Sequence, residues 1–379
     1  MNKKLLYIDH SFHNKTQSAR FLEEILACVY DIEACSLDPC DTCLEKVLDS
    51  FKDIEFDVLV LFQVMPNIEQ LKKNISAKHF VFFPMFDGSG GEEECFWRSY
   101  KEFNIINFSL ALHKRLLSLG LSSYYIQYFP KPLEGFNYGD PTKVFFWQRV
   151  TELNINMVGR LLQRIVVSKI HLHKVLDPLQ EFVEPSKSMQ AKIEYSDWYE
   201  TREEMLKDVE ACAVYIAPRP YEGIGMSFLE AMAMGRCVIA PDCPTMNEYI
   251  THGQNGLLYD FHLLKAVKIE NIVRIQRNAF EYIKKGYIQW EKDKYKIIDW
   301  LEAPLQKKTD ALNDDYHQYF NVKSYQLFKL IPLLTIKEKL YKRYYYLFNC
   351  WYILKSRCRR NRTIFYLFGV IPIWRIYRF

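Results

Sequence analysis

Short apolar runs alternate with stretches of helical periodicity from the start of the chain to about residue 302. "KLLYID" (4–9) predicts a strand, and "TQSARFLEEILACVY" (16–30), with its apolar stripe, predicts a helix. A second strand is expected near 31–37 and a helix near 42–52. "DVLVLFQVMP" (57–66) is almost continuously apolar, as a strand covered on both faces must be. "HFVFFPMFD" (79–87), "NIINFS" (104–109) and "SYYIQYFP" (123–130) read as further strands, and "ALHKRLLSLG" (111–120) as a helix closed by Gly120. Strand–helix alternation of this kind predicts a parallel sheet with helices on both faces.

"PKPLEGFNYGDPT" (130–142) interrupts the pattern and reads as a hinge. The alternation then resumes. "KVFFWQR" (143–149) is a strand and "ELNINMVGRLLQRI" (152–165) a helix, with strands near 166–173, 189–195, 213–218 and 237–241. "TREEMLKDVEAC" (201–212) has the acidic first turn of a helix. Residues 271–302 are helical in pattern, with a possible break at Gly286. The expected architecture is α/β, two Rossmann-like domains facing a cleft. The first spans 1–135 and the second 143–270, with 271–302 as a helical region packing back on the first. In such sheets ligands bind at the carboxyl ends of the strands.

Composition sharpens this picture at the far end of the chain. Of 379 residues, 49% are hydrophobic and 25% charged, so cores can be buried and disorder is excluded. The formal net charge of +4 is unevenly spread, for residues 321–379 hold 13 Lys/Arg and a single acid, Glu338. Within them, "SYQLFKLIPLLTIKEK" (324–339) and "IFYLFGVIPIWRIYRF" (364–379) share LF-x-x-IP at an offset of 40 residues. The intervening "KRYYYLFNCWYILKSRCRRNR" is aromatic and basic together. No run of about 18 apolar residues exists to span a bilayer. Aromatics mixed with Lys/Arg suit an anionic membrane surface, and 321–379 are expected to seek one. Packing of the repeats on the body and nucleic-acid binding are the rival readings, the latter not expected beside an α/β body.

"MNKKLLYIDHSFH" reads as a first strand and not a secretory signal, because its apolar run is four residues long. Ten cysteines without such a signal suggest reduced thiols in the cytoplasm. Cys35, Cys40 and Cys43 crowd together, but no fourth ligand stands at a recognisable spacing, so free thiols are the simpler reading.

The richest chemistry lies in "YEGIGMSFLEAMAMG" (221–235). A glycine turn feeding a helix exposes unpaired backbone N–H groups, and these favour an anion. Gly223 and Gly225 let a ligand approach the backbone. The local alternative for Glu230 is structural, since "SFLE" fits a capping box with Ser227 as N-cap and Glu230 at N3.

Residues 218–260, "PRPYEGIGMSFLEAMAMGRCVIAPDCPTMNEYITHGQNGLLYD", resemble the donor-binding segment of retaining GT-B glycosyltransferases, the group called family 4 or group 1. The resemblance rests on two glutamates separated by seven residues, the glycines after the first and the "LEAMA-x-G" helix. It continues through the "VIA" strand, the glutamate at the next helix start and the "G-x-x-GLL" turn. It implies a glycosyltransferase, a hexosyltransferase in type, taking sugar from a nucleotide donor to a glycan or lipid-linked acceptor in surface polysaccharide synthesis. Glu230 would hold the ribose hydroxyls and Glu222 would stand by the donor sugar. The amides of Ile224, Gly225 and Met226 would face the diphosphate or sugar, and Glu248 would start the next helix. Arg149 would hold the diphosphate, with Arg219 as a second candidate.

The lysine that usually follows the arginine is missing, and Lys169, Lys192 or Arg219 are its possible replacements. The glycine-rich loop after the first strand is replaced by "DHSFHNKTQS", and His10, His13 and Asp87, at the ends of first-domain strands, are the acceptor-side candidates. His171 and His173 alternate as on a strand face. There is no Asp-x-Asp motif, so neither a metal nor a cofactor beyond the donor is expected. An epimerase or phosphorylase of the same fold and a non-catalytic membrane adaptor are the alternatives. Attachment to the inner face of the cell membrane follows from the basic segment.

Overall fold

The computed structural model describes residues 3–37, 44, 48–306, 321–327, 331–348, 350–359 and 362–377. Cys40, Cys43, Phe328 and most of the helix expected near 42–52 lie outside them. The chain divides into two compact units, 1–127 with 290–320 and 128–289 with 321–379.

The first unit is built on β1 (Lys3–His10), β2 (Tyr30–Leu37), β3 (Glu55–Phe62), β4 (Ser76–Phe83), β5 (Asn104–Asn107) and β6 (Ser123–Tyr125). The order is β2-β1-β3-β4-β5-β6, parallel throughout. Val58, Leu59, Val60 and Leu61 are wholly buried, which is why the segment reads as a continuous apolar run. Of the helix expected over 16–30 only Arg20–Leu26 forms, and a separate Phe12–Thr16 helix before it is ended by Gln17 in a left-handed conformation (φ 55°). The Lys296–Leu301 helix belongs to this unit. The Asn104 amide donates to the carbonyls of Trp300 (3.2 Å) and Ala303 (2.7 Å), and the Tyr30 hydroxyl donates to Glu302 (2.6 Å).

The second unit holds a parallel sheet of β7 (Asp140–Trp147), β8 (Lys169–His173), β9 (Ile193–Ser196), β10 (Cys212–Ile216), β11 (Cys237–Pro241) and β12 (Leu257–Tyr259). Its order is β12-β11-β10-β7-β8-β9. The chain fills one side of β7 and then the other, so the order reverses between β7 and β10. Such a switch point opens a crevice at the strands' carboxyl ends. The Ile272–Asp293 helix runs through Gly286 without a break. A Cβ at Gly286 would lie 2.2 Å from the Phe129 ring, so that glycine serves close packing and not a kink.

Residues 321–379, read from sequence as an aromatic basic tail, form a third sheet. Strands β13 (Asn321–Leu327), β14 (Ile331–Lys339), β15 (Lys342–Leu347), β16 (Trp351–Arg359), β17 (Arg362–Leu367) and β18 (Ile371–Tyr377) pair antiparallel in chain order. The repeat is three hairpins with a period of 20 residues, not two copies 40 apart. Tyr325, Tyr345 and Phe365 each precede x-Leu-Phe, and a register shift follows each of them. The middle copy escapes the LF-x-x-IP pattern because Trp351-Tyr352 stands where the others have Ile-Pro.

One end of this sheet is bolted to the parallel-sheet part of the second unit. Arg343 forks between Glu338 (2.6 Å) and Asp260 (2.6 Å), and Lys323 reaches Asp242 (2.5 Å). Ser356 hydrogen-bonds His262 (2.8 Å), and the Tyr341 amide donates to the Tyr221 hydroxyl (3.0 Å). Arg343 and Glu338 are both buried, so each depends on the other for its charge.

Candidate active site

The turn after β10 enters the Met226–Ala233 helix through Gly225, the N-cap residue at φ 79° and ψ 41°. A Cβ there would stand 2.0 Å from the Phe228 ring. Glycine is thus required twice, for backbone sign and for space. This geometry overturns the capping box. Ser227 lies inside the first turn, and its hydroxyl bonds that of Tyr215. Glu230 is more than a turn in and pairs with Arg202 (2.5 Å). Burial pushes the Glu230 carboxyl up, and Arg202 opposes the shift.

Burial raises the Tyr215 hydroxyl, Glu222 and Glu230 raise it further, and Arg149 pulls it down. Two acids and one base from separate elements therefore converge electrostatically on a single buried side chain. Glu222 is itself 6% exposed. Its backbone is pinned across the next loop, the amide donating to the Pro244 carbonyl (3.4 Å) and its carbonyl accepting from Thr245 Oγ1 (3.4 Å). Gly223 and Ile224 are buried in the same turn, and Met226 is half-buried. Glu248 occupies the first turn of the short Met246–Tyr249 helix.

Arg149 and Arg219 meet on one carboxylate. Arg149 Nε and Nη2 lie 3.0 and 2.8 Å from Asp177 Oδ1, and Arg219 Nε and Nη2 lie 2.8 and 2.6 Å from Oδ2. Arg149 also stacks over Trp147, with its guanidinium carbon 4.6 Å from the ring centroid. Two cations on one anion leave a local charge of +1 at the carboxyl ends of β7 and β10. Guanidinium forks in that setting suit phosphate oxygens. No sequence motif marks Asp177. Its one signal was its place just past the end of β8, the neighbour of β7.

Lys169 opens β8 and Lys192 precedes β9, so both stand at the amino ends, away from Arg149. Lys169 pairs with Glu194 there (2.9 Å). Neither stands at the strand ends beside Arg149, as Arg219 does.

Within the second unit, Glu230 and Arg202 line a cavity of about 470 Å³, together with Tyr128, Met234 and the Pro130–Glu134 stretch. In the first unit, His13 is buried at the end of β1. Its Nδ1 lies 3.2 Å from Asp9 and its Nε2 2.9 Å from Gln63 Oε1, while Asp9 accepts from Ser36 (3.0 Å). Both ring nitrogens are thus engaged. His10 Nδ1 accepts from the Phe12 amide (3.1 Å), and Asp87, past β4, accepts from the Gly88 amide (3.1 Å).

His171 stacks on Phe145 (5.2 Å) and meets Ser196 and Tyr199, on the face of the sheet. Burial lowers His173 to about 4, and His171 beside it adds to the effect. Cys35 is a free thiol that burial pushes up to about 12. Among the described residues no group of three His, Cys, Asp or Glu could hold a metal ion.

Residues 147–272 match the family model of the glycosyl transferases group 1. That domain takes in Arg149, Asp177, Arg219, Glu222, Glu230 and Glu248. No curated protein matches the chain. Among solved structures, sucrose-phosphate synthase from Thermosynechococcus elongatus is 11% identical, with a TM-score of 0.55 over 78% of this chain and 100% of that one. A glycosyltransferase from Rickettsia africae ESF-5 is 12% identical, with a TM-score of 0.52 over 80% and 100%. The lipopolysaccharide outer core galactosyltransferase WaaB, in apo form, is 13% identical, with a TM-score of 0.50 over 77% and 99%. The fold is of the GT-B type, two parallel-sheet α/β units, to which this chain adds the antiparallel sheet.

Proposed function

We propose that this protein is a glycosyltransferase that moves a hexosyl group from a nucleotide sugar to a glycan or lipid-linked acceptor. The observation that carries the reading is the meeting of Arg149 and Arg219 on Asp177 beside the Gly225 helix entrance. In this reading the donor diphosphate takes the charge those guanidinium groups offer, and the amides of Ile224, Gly225 and Met226 face it. Glu222 stands by the sugar, Glu230 receives the ribose hydroxyls, and Glu248 faces the same donor. For Glu230 to do so, Arg202 must give way.

The chemistry needs no strong base. The acceptor hydroxyl attacks the anomeric carbon on the face the leaving group vacates. The carbon–oxygen bond to the diphosphate breaks, the new glycosidic bond forms, and a phosphate oxygen takes the hydroxyl proton. Configuration is then retained, and catalysis is positioning plus stabilisation of charge on the diphosphate. No metal is assigned a role. His10, His13 and Asp87 belong to the acceptor side, with His13 as a positioning group held by Asp9 and Gln63. The basic segment 321–379 keeps the enzyme peripheral at the inner membrane face, where a surface-polysaccharide acceptor would be found.

A thermal-shift screen against UDP-, GDP-, ADP- and CMP-sugars tests this. A ligand at a hundredfold excess over its dissociation constant stabilises the native state by about 2.7 kcal/mol. One nucleotide is expected to shift the wild type and not Glu230→Ala. No shift with any of them overturns the proposal. Conversion of the nucleotide sugar alone, without acceptor, would identify an epimerase instead.

A further inference from the structure

In a six-stranded meander, successive turns fall at alternate ends of the sheet. The β14–β15 end carries Tyr341, Glu338 and Arg343 and is the end bolted to the parallel-sheet part of the second unit. The turns β13–β14, β15–β16 and β17–β18 therefore gather at the opposite end, and these are the three copies of the 20-residue repeat. Their described residues are apolar and uncovered: Phe348 is 45% exposed, Trp351 64%, Phe368 58% and Val370 73%. Phe348 and Phe368 hold φ near +49° and +48°, a conformation costly for a bulky residue, so each tip spends backbone strain on a side chain the body leaves bare.

The two faces of the sheet also differ. Strand register places Glu338, Arg343, Ser356 and Phe365 on one face, and these four are buried, while Trp374, which ends the row on the edge strand, is 57% exposed. The other face carries the cross-strand row Lys337–Tyr344–Lys355–Tyr366 and, beside it, Lys342–Arg357–Ile364–Arg375. Lys337 lies 5.2 Å from the Tyr346 ring and Lys355 5.6 Å from that of Tyr344. Glu338, the one acid in 321–379, faces the other way and is bound by Arg343.

We infer that the hairpin tips carrying Phe348 and Trp351, and Phe368 and Val370, form a lipid-contacting rim, which enters the interface of an anionic bilayer while the Lys/Arg/Tyr face meets the headgroup phosphates. A second copy of the chain would set one basic face against another. A soluble polyanion would neutralise that face and leave the aromatic rim in water. A bilayer interface satisfies both, because Trp and Phe settle at headgroup depth and Lys/Arg are drawn to anionic lipid. Pro372 and Arg375 keep the exposed edge strand β18 from pairing with another chain. The inference rests on the membrane reading of 321–379 and is independent of the donor reading.

The test is co-sedimentation of the full chain with vesicles of phosphatidylcholine, with and without phosphatidylglycerol. The triple variant Trp351→Ser/Phe368→Ser/Val370→Ser changes exposed tips only and should fold. Binding to the anionic vesicles is expected to fall by about tenfold or more in it. Lys355→Gln/Arg375→Gln is expected to weaken binding mainly at low salt. Lipids brominated in the acyl chain near the headgroup should quench wild-type fluorescence, and less so in Trp351→Phe. Equal binding of the tip variant and the wild type would overturn the rim. So would self-association, abolished in the tip variant, in a protein that ignores vesicles, because the occupant would then be a second copy. The donor thermal shift is run on the same samples. Loss of vesicle binding with the shift intact isolates the rim, and absence of the shift in wild type counts only against the donor reading.

Discussion

The second unit holds two six-stranded sheets that use their residues in opposite ways. The parallel sheet β7–β12 buries both faces of its central strands β7, β10 and β11, with Val144, Phe146, Val214, Ile216, Val238 and Ile239 at 2% exposure or less. Only its strand ends are left to act, and there Arg149, Arg219 and Asp177 converge. The antiparallel sheet β13–β18 is anchored by one end and keeps its described far tips and one face open. Crossover helices cover a parallel sheet and drive its chemistry to the edge where loops emerge. Hairpins cover nothing, so an antiparallel sheet can offer a whole surface.

This contrast can be broken experimentally, beginning where the expected effect is largest. Arg343→Ala leaves Glu338 and Asp260 facing each other without a cation. Breaking a buried pair from one side costs about 3–5 kcal/mol. Hydrogen exchange should show protection lost in β13–β18 while β7–β12 keep theirs. Equal loss in both would mean that they are one cooperative block.

Arg149→Ala is expected to lower transfer by about 10²–10³-fold, the effect of removing one charge-stabilising donor, with the melting temperature little changed. Asp177→Asn leaves both guanidinium groups but loosens them, so kcat should fall by roughly tenfold while KM moves less. If Asp177→Asn were silent, the two arginines would not depend on being held together.

Two glycines with left-handed backbones sharpen the point at smaller scale. Gly225→Ala meets the Phe228 ring and should cost about 1–3 kcal/mol, with donor binding lost as well. At Gly253 (φ 75°) an added Cβ meets nothing within 4 Å, so Gly253→Ala should cost only the conformational penalty of about 1 kcal/mol. Matched urea titrations decide it.

The smallest effect is a pH slope. His173, buried and lowered to about 4, stays neutral in the native state where the unfolded chain already takes up a proton. Stability is therefore full above pH 6.5 and declines as pH falls from there toward about 4. His113, likewise lowered to about 4 by burial, does the same in the first unit. Urea melts at pH 7.5 and 5.0 should differ less in His173→Phe than in wild type.

The parallel sheets were legible because a strand covered on both faces must be apolar throughout. "DVLVLF" and "AVYIAP" advertise that without any knowledge of their neighbours. The strand-end cluster was half legible. Glu222, Gly225 and Glu230 sit within nine residues, whereas Asp177 lies 28 positions from Arg149 and 42 from Arg219. No local pattern links residues so far apart. The capping box failed for a related reason. "SFLE" permits it, but the helix starts earlier, at Gly225, where the Phe228 ring leaves room for no side chain. In the antiparallel segment, charge and aromaticity are the strongest local signals. The 20-residue period was hidden by Trp351-Tyr352 in the middle copy, and a half-open sheet imposes no continuous apolar run to reveal its strands.

By itself the sequence determined what depends on neighbours along the chain: which segments are strands, which are helices, and where a glycine turn bares a helix end. It also determined that positive charge concentrates after residue 320. Tertiary structure alone decided that Arg149 and Arg219 share one carboxylate and that Glu230 answers Arg202 and not its own helix. It also decided that a basic aromatic stretch stands as a sheet with one end bolted down and its described tips exposed. The reason is physical. Propensity and periodicity are encoded over a few residues, while the partner of a charge is settled by whichever distant groups the folded chain brings within about 3 Å of it.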